Sequence, residues 1–162
     1  MRRRIINKAG IVGVDIKLAF DSVSHSYLEE VLKAFGWPVN IREWIKTLYN
    51  GAESAIMNGG LTTKYFPLER SCRQGDALSP YLFIMAIEPL IIQIRKLQGI
   101  TLHRGVYQVG AFADDLNVGI GSMEDIRKLE GILEEYHKAS GLQVNKEKSE
   151  LPTTHWEMEQ AG

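Results

Sequence analysis

Phe112-Ala113-Asp114-Asp115-Leu116-Asn117-Val118-Gly119-Ile120 is the stretch on which the fold turns. Leu116, Val118 and Ile120 alternate with Asn117 and Gly119, the period of a strand buried on one face. A second strand-like run, about residues 105–113, precedes it, and the two meet at consecutive aspartates. A tight hairpin tip favours Asn-Gly or Asp-Gly, because those residues accept positive φ. Two adjacent carboxylates gain nothing locally from each other. One reading is a solvated turn, since aspartate is common in turns. The other is a pair of oxygen donors presented at the end of a sheet for a hard divalent cation.

Working outward, Ile11-Val12-Gly13-Val14 is a short apolar run that ends in Asp15, a buried strand with a carboxylate at its exit. Ser26-Tyr27-Leu28-Glu29 has the form of a capping box, and Leu28, Val31, Leu32 and Phe35 keep helical spacing until Gly36 and Pro38. Asn40 with Glu43 opens a second helix with Ile41, Trp44, Ile45 and Leu48 in one stripe, ended by Asn50-Gly51. Residues 52–66 read as a hairpin turning at Asn58-Gly59-Gly60. Ser79-Pro80 caps a helix that is apolar nearly all round, hence buried, with a break or kink at Pro89. Ser122 caps a last helix carrying Met123, Ile126, Leu129, Leu133 and Tyr136 on one face; Gly141 ends it, and Leu142 and Val144 suggest a final short strand. The order β-α-α-β-β-α-β-β-α-β predicts an α+β fold, an antiparallel sheet with helices packed on one face.

Composition narrows the classes. The 162 residues are 44% hydrophobic and 24% charged, suited to one domain with its own core. The longest apolar run, Tyr81 to Ile92, is broken by Glu88 and Pro89, so no stretch reaches the roughly 18–20 apolar residues of a membrane-spanning helix. A single cysteine, Cys72, excludes an internal disulfide or cysteine zinc site, and the four histidines have no ligand spacing. The net charge of −1 hides an asymmetry: residues 111–162 carry five Lys and Arg against eleven Asp and Glu. That is no general nucleic-acid footprint. It suits a cation site, although Glu130, Glu134 and Glu135 read as a solvated helix face.

Four blocks then occur in order: Asp15-Ile16-Lys17-Leu18-Ala19-Phe20-Asp21, Arg73-Gln74-Gly75-Asp76-Ala77-Leu78-Ser79-Pro80, Phe112-Ala113-Asp114-Asp115 and Gly141-Leu142-Gln143-Val144-Asn145-Lys146-Glu147-Lys148-Ser149. Together they resemble the palm of reverse transcriptases, in particular that of LINE-type, non-LTR retrotransposons. The resemblance implies a polymerase palm with a ferredoxin- or RRM-like core over residues 10–151, preceded by a basic remnant at 1–9 and followed by a loose tail at 152–162. It implies that Asp15, Asp114 and Asp115 bind metal, Asp115 more loosely. Phe20 matches the aromatic gate under the incoming sugar, with a core phenylalanine as the plain alternative. Arg73, Gln74 and Gly75 match the loop that approaches the incoming nucleotide and template. Lys148 matches a lysine near the leaving pyrophosphate, with a solvated lysine as the alternative.

The activity so implied is RNA-directed DNA polymerisation, with an RNA template, a DNA primer, a dNTP and two Mg²⁺ ions, Mn²⁺ being a possible substitute, and no membrane partner. One ion would acidify the primer hydroxyl and the other hold the triphosphate. Leu18 departs from the family pattern, which usually has lysine there. Only fourteen residues precede Asp15, so fingers and thumb are expected from a longer chain, with little activity from the palm alone. The alternatives are a catalytically dead palm that binds nucleic acid, the product of a decayed element, or another palm-like phosphotransferase such as a nucleotide cyclase. The last lacks a reason for the Arg73–Pro80 and Gly141–Ser149 blocks.

Overall fold

β-Branched residues at alternate positions make the first strand: Val12, Val14 and Ile16 point to one side and are buried, while Ile11, Gly13 and Asp15 point to the other. The computed structural model describes residues 9–17, 19–72, 75–103, 105–112 and 115–145. In chain order the elements are β1 (Gly10–Lys17), α1 (Ala19–Ser22), α2 (His25–Ala34), α3 (Val39–Tyr49), β2 (Glu53–Ser54), β3 (Met57–Asn58), β4 (Leu61–Thr62), β5 (Phe66–Pro67), α4 (Ser79–Ile94), β6 (Ile100–Leu102), β7 (Gly105–Tyr107), β8 (Val109–Phe112), β9 (Asp115–Ile120), α5 (Met123–Ser140) and β10 (Gln143–Val144).

The main sheet is antiparallel in the order β10-β1-β9-β8. Its register pairs Val12 with Val118, Val14 with Leu116 and Asp15 with Asp115. Partners in such a register share a face, so Val12, Val14, Leu116 and Val118 all enter the core. There they join Leu28 and Leu32 of α2, Leu82, Phe83, Ala86 and Leu90 of α4, and Leu129 and Tyr136 of α5. Each large apolar side chain buried this way contributes roughly 1.5–3 kcal/mol. The expected α+β sheet with its helical layer is therefore the observed architecture. The opposite face is partly covered by a further hairpin. β6 and β7 form a hairpin that the sequence reading missed, and its Tyr107 lies over Gly110 and Gly119. The Tyr107 hydroxyl donates to the Asn117 carbonyl at 3.2 Å, and a Cβ on Gly119 would lie 2.3 Å from the Tyr107 carbonyl oxygen.

α4 runs through Pro89 without ending. Proline removes the N–H that the Met85 carbonyl would accept and crowds the preceding turn. One residue on, the Ala86 carbonyl accepts two hydroxyls, from Tyr27 at 3.1 Å and Tyr136 at 2.9 Å. These bonds tie α2 and α5 to the proline turn of α4. Burial pushes the Tyr27 hydroxyl up to about 12 and the Tyr136 hydroxyl higher still.

Several local expectations shift. The N-cap of α2 is Ser24, not Ser26; its Oγ accepts from the Tyr27 N–H at 3.5 Å and lies 2.8 Å from Ser26 Oγ. α3 starts after Pro38 with no side-chain cap, and it buries Ile45 and Tyr49 while Trp44 and Leu48 stay exposed. The stripe is rotated because Tyr49, with a hydroxyl 3.4 Å from Ser79 Oγ, takes the inner position. Ser79 is itself buried and does not cap α4, whose N-cap position is Leu78 with no side-chain cap; Asp76 Oδ1 accepts from the Leu78 N–H at 3.1 Å in the turn before the helix. The Asn58-Gly59-Gly60 hairpin is present, with positive φ at both glycines. Ser122 caps α5 and Gly141 ends it in the left-handed region, as expected. The proposed N-terminal remnant up to residue 8, the C-terminal tail, and the palm boundary at 151 lie outside the described residues. No helix among the described residues is long and apolar enough to cross a membrane.

Candidate active site

Asp15 and Asp115 face each other across the two central strands. They are Cα partners at the end of the β1–β9 ladder, on the face away from the hydrophobic core. Asp15 is half-buried and Asp115 exposed. Directly opposed residues bring their Cβ atoms to about 4.5–5.5 Å. The local cause is plain: Val14 and Leu116 need the core side, so the next residue on each strand must turn outward.

A third group holds Asp15 from its other side. β10 pairs with β1 through Ile16↔Val144 and Lys17↔Gln143, and Asn145 follows directly. Its backbone N–H donates to the Asp15 carbonyl at 2.8 Å, and its side-chain Nδ2 donates to Asp15 Oδ2 at 3.1 Å. Asn145 lies inside the Gly141–Ser149 block, to which the sequence pattern alone assigns no side-chain role at that position. Its position one residue past a strand that pairs with the Asp15 strand was the signal.

Phe20 lies on α1, half-buried, with its ring stacked on Phe83 of α4 at 4.4 Å and 23°. It is thus braced from the core, which the plain core alternative also requires. The backbone after it is fixed by a run of pairings between residues 20–25 and 69–72. The Cys72 N–H donates to the Phe20 carbonyl at 2.6 Å and the Ser71 N–H to the Val23 carbonyl at 3.0 Å. His25 Nε2 lies 2.9 Å from the Ser71 carbonyl, which only accepts, so Nε2 carries the proton. Ser71 has φ of 103°, a strained value for a residue with a Cβ, and these bonds hold it there. The chain therefore enters the Arg73–Gly75 loop from an anchored turn joined to the Phe20 segment. Gly75 has φ of +88°, and a Cβ there would meet nothing within 4 Å. Glycine answers a conformational need of the loop and leaves the space beside it open.

Asp114, Arg73, Gln74 and Lys148 lie outside the described residues. Of the expected site, the structure brings Asp15 and Asp115 together, places Phe20 on an anchored segment shortly after Asp15, and gives Gly75 a positive φ. Among the described residues no group of three or more His, Cys, Asp and Glu side chains forms a metal cage. The two opposed carboxylates are hard oxygen donors, which suit Mg²⁺ or Mn²⁺ and not a thiolate-seeking metal.

The family model described as reverse transcriptase (RNA-dependent DNA polymerase) matches residues 2–160. The chain belongs to the reverse transcriptase family. It is 31% identical over 106 residues to the Retrovirus-related Pol polyprotein from type-2 retrotransposable element R2DM of Drosophila melanogaster, covering 65% of this chain and 10% of that protein. It is 30% identical over 149 residues to the Pol polyprotein from type-1 retrotransposable element R2 of Popillia japonica, covering 90% of this chain and 25% of the relative. These are non-LTR retrotransposon polyproteins, in agreement with the LINE-type resemblance of the motifs. The chain spans between a tenth and a quarter of their length. Among solved structures, a telomerase from Candida tropicalis in complex with a TWJ fragment of telomeric RNA superposes with a TM-score of 0.65 at 14% identity, over 90% of this chain and 26% of that one. That likeness establishes the palm-type α+β fold of this reverse transcriptase chain. The family works with divalent metal ions.

Proposed function

We propose that this chain carries the catalytic palm of an RNA-directed DNA polymerase of the non-LTR retrotransposon type. It would extend a DNA primer along an RNA template, using dNTPs, within a longer chain that supplies fingers and thumb. The observation that carries the reading is the Asp15↔Asp115 pairing on the outward face of the central strands. Asp15, Asp114 and Asp115 would hold two Mg²⁺ ions, with Mn²⁺ as a substitute. Bound there, the ions would supply a more acidic primer hydroxyl and compensation for charge on the leaving group.

The remaining work falls to the chain's own residues. The primer 3′-hydroxyl would attack the α-phosphorus of the dNTP; a P–O bond forms, the bond from the α-phosphorus to the bridging oxygen breaks, the hydroxyl proton passes to solvent water, and pyrophosphate leaves. Phe20, braced on Phe83, would present a rigid ring under the sugar and disfavour a 2′-hydroxyl. Arg73, Gln74 and Gly75 would line the nucleotide and template side, with the open space at Gly75 allowing close approach. Lys148 would stand near the departing pyrophosphate and offer it a proton. Opposed carboxylates repel unless a cation lies between them, so the arrangement has a use with metal that it lacks without.

Primer extension on an RNA template with Mg²⁺ tests this. The chain, its Asp114→Ala variant and a longer chain with fingers and thumb are compared. Extension by the longer chain, abolished by Asp114→Ala, is the expected result. A silent longer chain overturns the reading. Salt-dependent RNA binding that survives Asp114→Ala, without extension, would instead support a palm that binds nucleic acid and no longer catalyses.

A further inference from the structure

We infer that Asn145 is a positioning residue for the metal-binding carboxylate, holding Asp15 in the orientation that lets it share a cation with Asp115 of β9. The inference rests on the reading of Asp15 as a metal ligand and adds the group that aims it.

Asp15 sits on β1 between two strands of opposite character. On the β9 side its register partner is Asp115, a like charge. On the β10 side is Asn145, which touches it at two atoms, through the backbone N–H to the Asp15 carbonyl and through Nδ2 to Oδ2. The first bond fixes the Asp15 backbone. The second fixes the carboxylate itself. A carboxylate has two oxygens with about four lone-pair sites, so accepting the carboxamide does not use up its capacity to ligate a cation. Repulsion from Asp115 pushes the Asp15 carboxylate toward β10, and the carboxamide donor on that side holds Oδ2 in one fixed orientation in place of a spread of rotamers.

The chemistry of the donor is suited to this. A lysine or arginine at the same place would neutralise Asp15 and compete with the cation. A neutral amide orients the oxygen and leaves the full negative charge available. Backbone pairing of β10 to β1 sets where the amide can reach, so placement does not depend on a mobile side chain. Asn145 also lies three residues before Lys148 in the same block, so the segment that would serve the leaving group is the one that braces the metal ligand.

The test uses the full chain and Mn²⁺ alone as the probe, read by electron paramagnetic resonance. Asn145→Leu keeps the branched shape and the backbone N–H but loses the carboxamide donor. It is expected to weaken Mn²⁺ binding by about 10-fold, the lower end for loss of such an orienting contact. Asn145→Gln, which keeps a donor, should recover part of the loss. In primer extension by the longer chain, Asn145→Leu should lower kcat and leave the dNTP KM unchanged. Circular dichroism confirms that each variant is folded. Wild-type Mn²⁺ affinity in folded Asn145→Leu overturns the inference. A measurement on the unsubstituted chain stands beside it: Mg²⁺ should shift the Asn145 carboxamide ¹H–¹⁵N signals, and should not do so in Asp15→Asn. No Mg²⁺ shift in the wild-type chain also overturns the role. Asp15→Asn separates the two levels. If it leaves Mn²⁺ binding intact, the metal-ligand reading fails; if it abolishes binding while Asn145→Leu binds normally, only the positioning role fails.

Discussion

Replacing Asp115 with asparagine should stabilise the metal-free chain and remove its response to metal. Asp15 and Asp115 are register partners at the end of the β1–β9 ladder. Two unit charges about 5 Å apart repel by about 0.8 kcal/mol in water, and like charges directly opposed in antiparallel sheets destabilise by roughly 0.2–1 kcal/mol. Asp115 is exposed, so solvent screening keeps the gain at about 0.5 kcal/mol. For a chain of this length that raises Tm by about 1–2 °C. Mg²⁺ reverses the order. A cation held at 100 times its Kd adds about 2.7 kcal/mol to the wild type, and Asp115→Asn should gain far less. The assay is calorimetric unfolding in EDTA and in a Mg²⁺ series, with Asp15→Asn as the matching variant. A metal-free Tm that falls in Asp115→Asn, or a Mg²⁺ response equal to the wild type, would refute the claim that the two carboxylates are held together for a cation.

Asp125→Ala should cost about 3 kcal/mol, read as a lowered urea midpoint: the buried carboxylate accepts from the Gln98 N–H at 3.1 Å and the Gly121 N–H at 2.9 Å, and both donors would lose it. Phe20→Ala should cost about 2 kcal/mol by loss of the Phe83 stack, and in the longer chain it should raise incorporation of ribonucleotides; unchanged sugar selectivity with lowered stability would leave Phe20 a core residue only. The alkaline limb of stability follows from three buried groups, Cys72, Tyr27 and Tyr136. Burial raises the Cys72 thiol to about 11 and the Tyr27 hydroxyl to about 12, so both keep their protons in the fold and release them sooner when unfolded. Their contribution is complete below the unfolded values and is lost as pH climbs through roughly 9 to 12; pH-dependent urea unfolding checks it, and Tyr27→Phe with Cys72→Ala should make that limb shallower, Tyr136 keeping the remainder.

The sheet was legible in the sequence because a strict period of two left one solution for residues 115–120. Val12, Val14, Leu116 and Val118 must share a face, so the aspartates beside them had to share the other. Caps were less legible. Serine at 24, 26 and 79 offers the same chemistry, and only tertiary pairing decides between them; Ser24 is chosen because it bridges to Arg70, and Ser79 is drawn inward to Tyr49. The stripe on α3 rotated for the same kind of reason, since periodicity does not tell which of two adjacent apolar rows meets the core. β6 escaped notice because three residues carry too little pattern, although Gly119 inside a buried strand was a sign of close backbone approach. Asn145 was out of reach of composition or period. Its role exists only once β10 has paired with β1.

The most direct measurement is paramagnetic broadening by Mn²⁺ in the ¹H–¹⁵N spectrum of the full chain. If the two strands present a cation site, trace Mn²⁺ should first bleach the amides of Gly13, Asp15, Asp115 and Asn117, and the Asn145 carboxamide with them. The exposed carboxylates of Glu130, Glu134 and Glu135 on α5 should be touched only at higher metal. Broadening that begins on α5 and spares the Asp15–Asp115 end of the sheet would contradict the account.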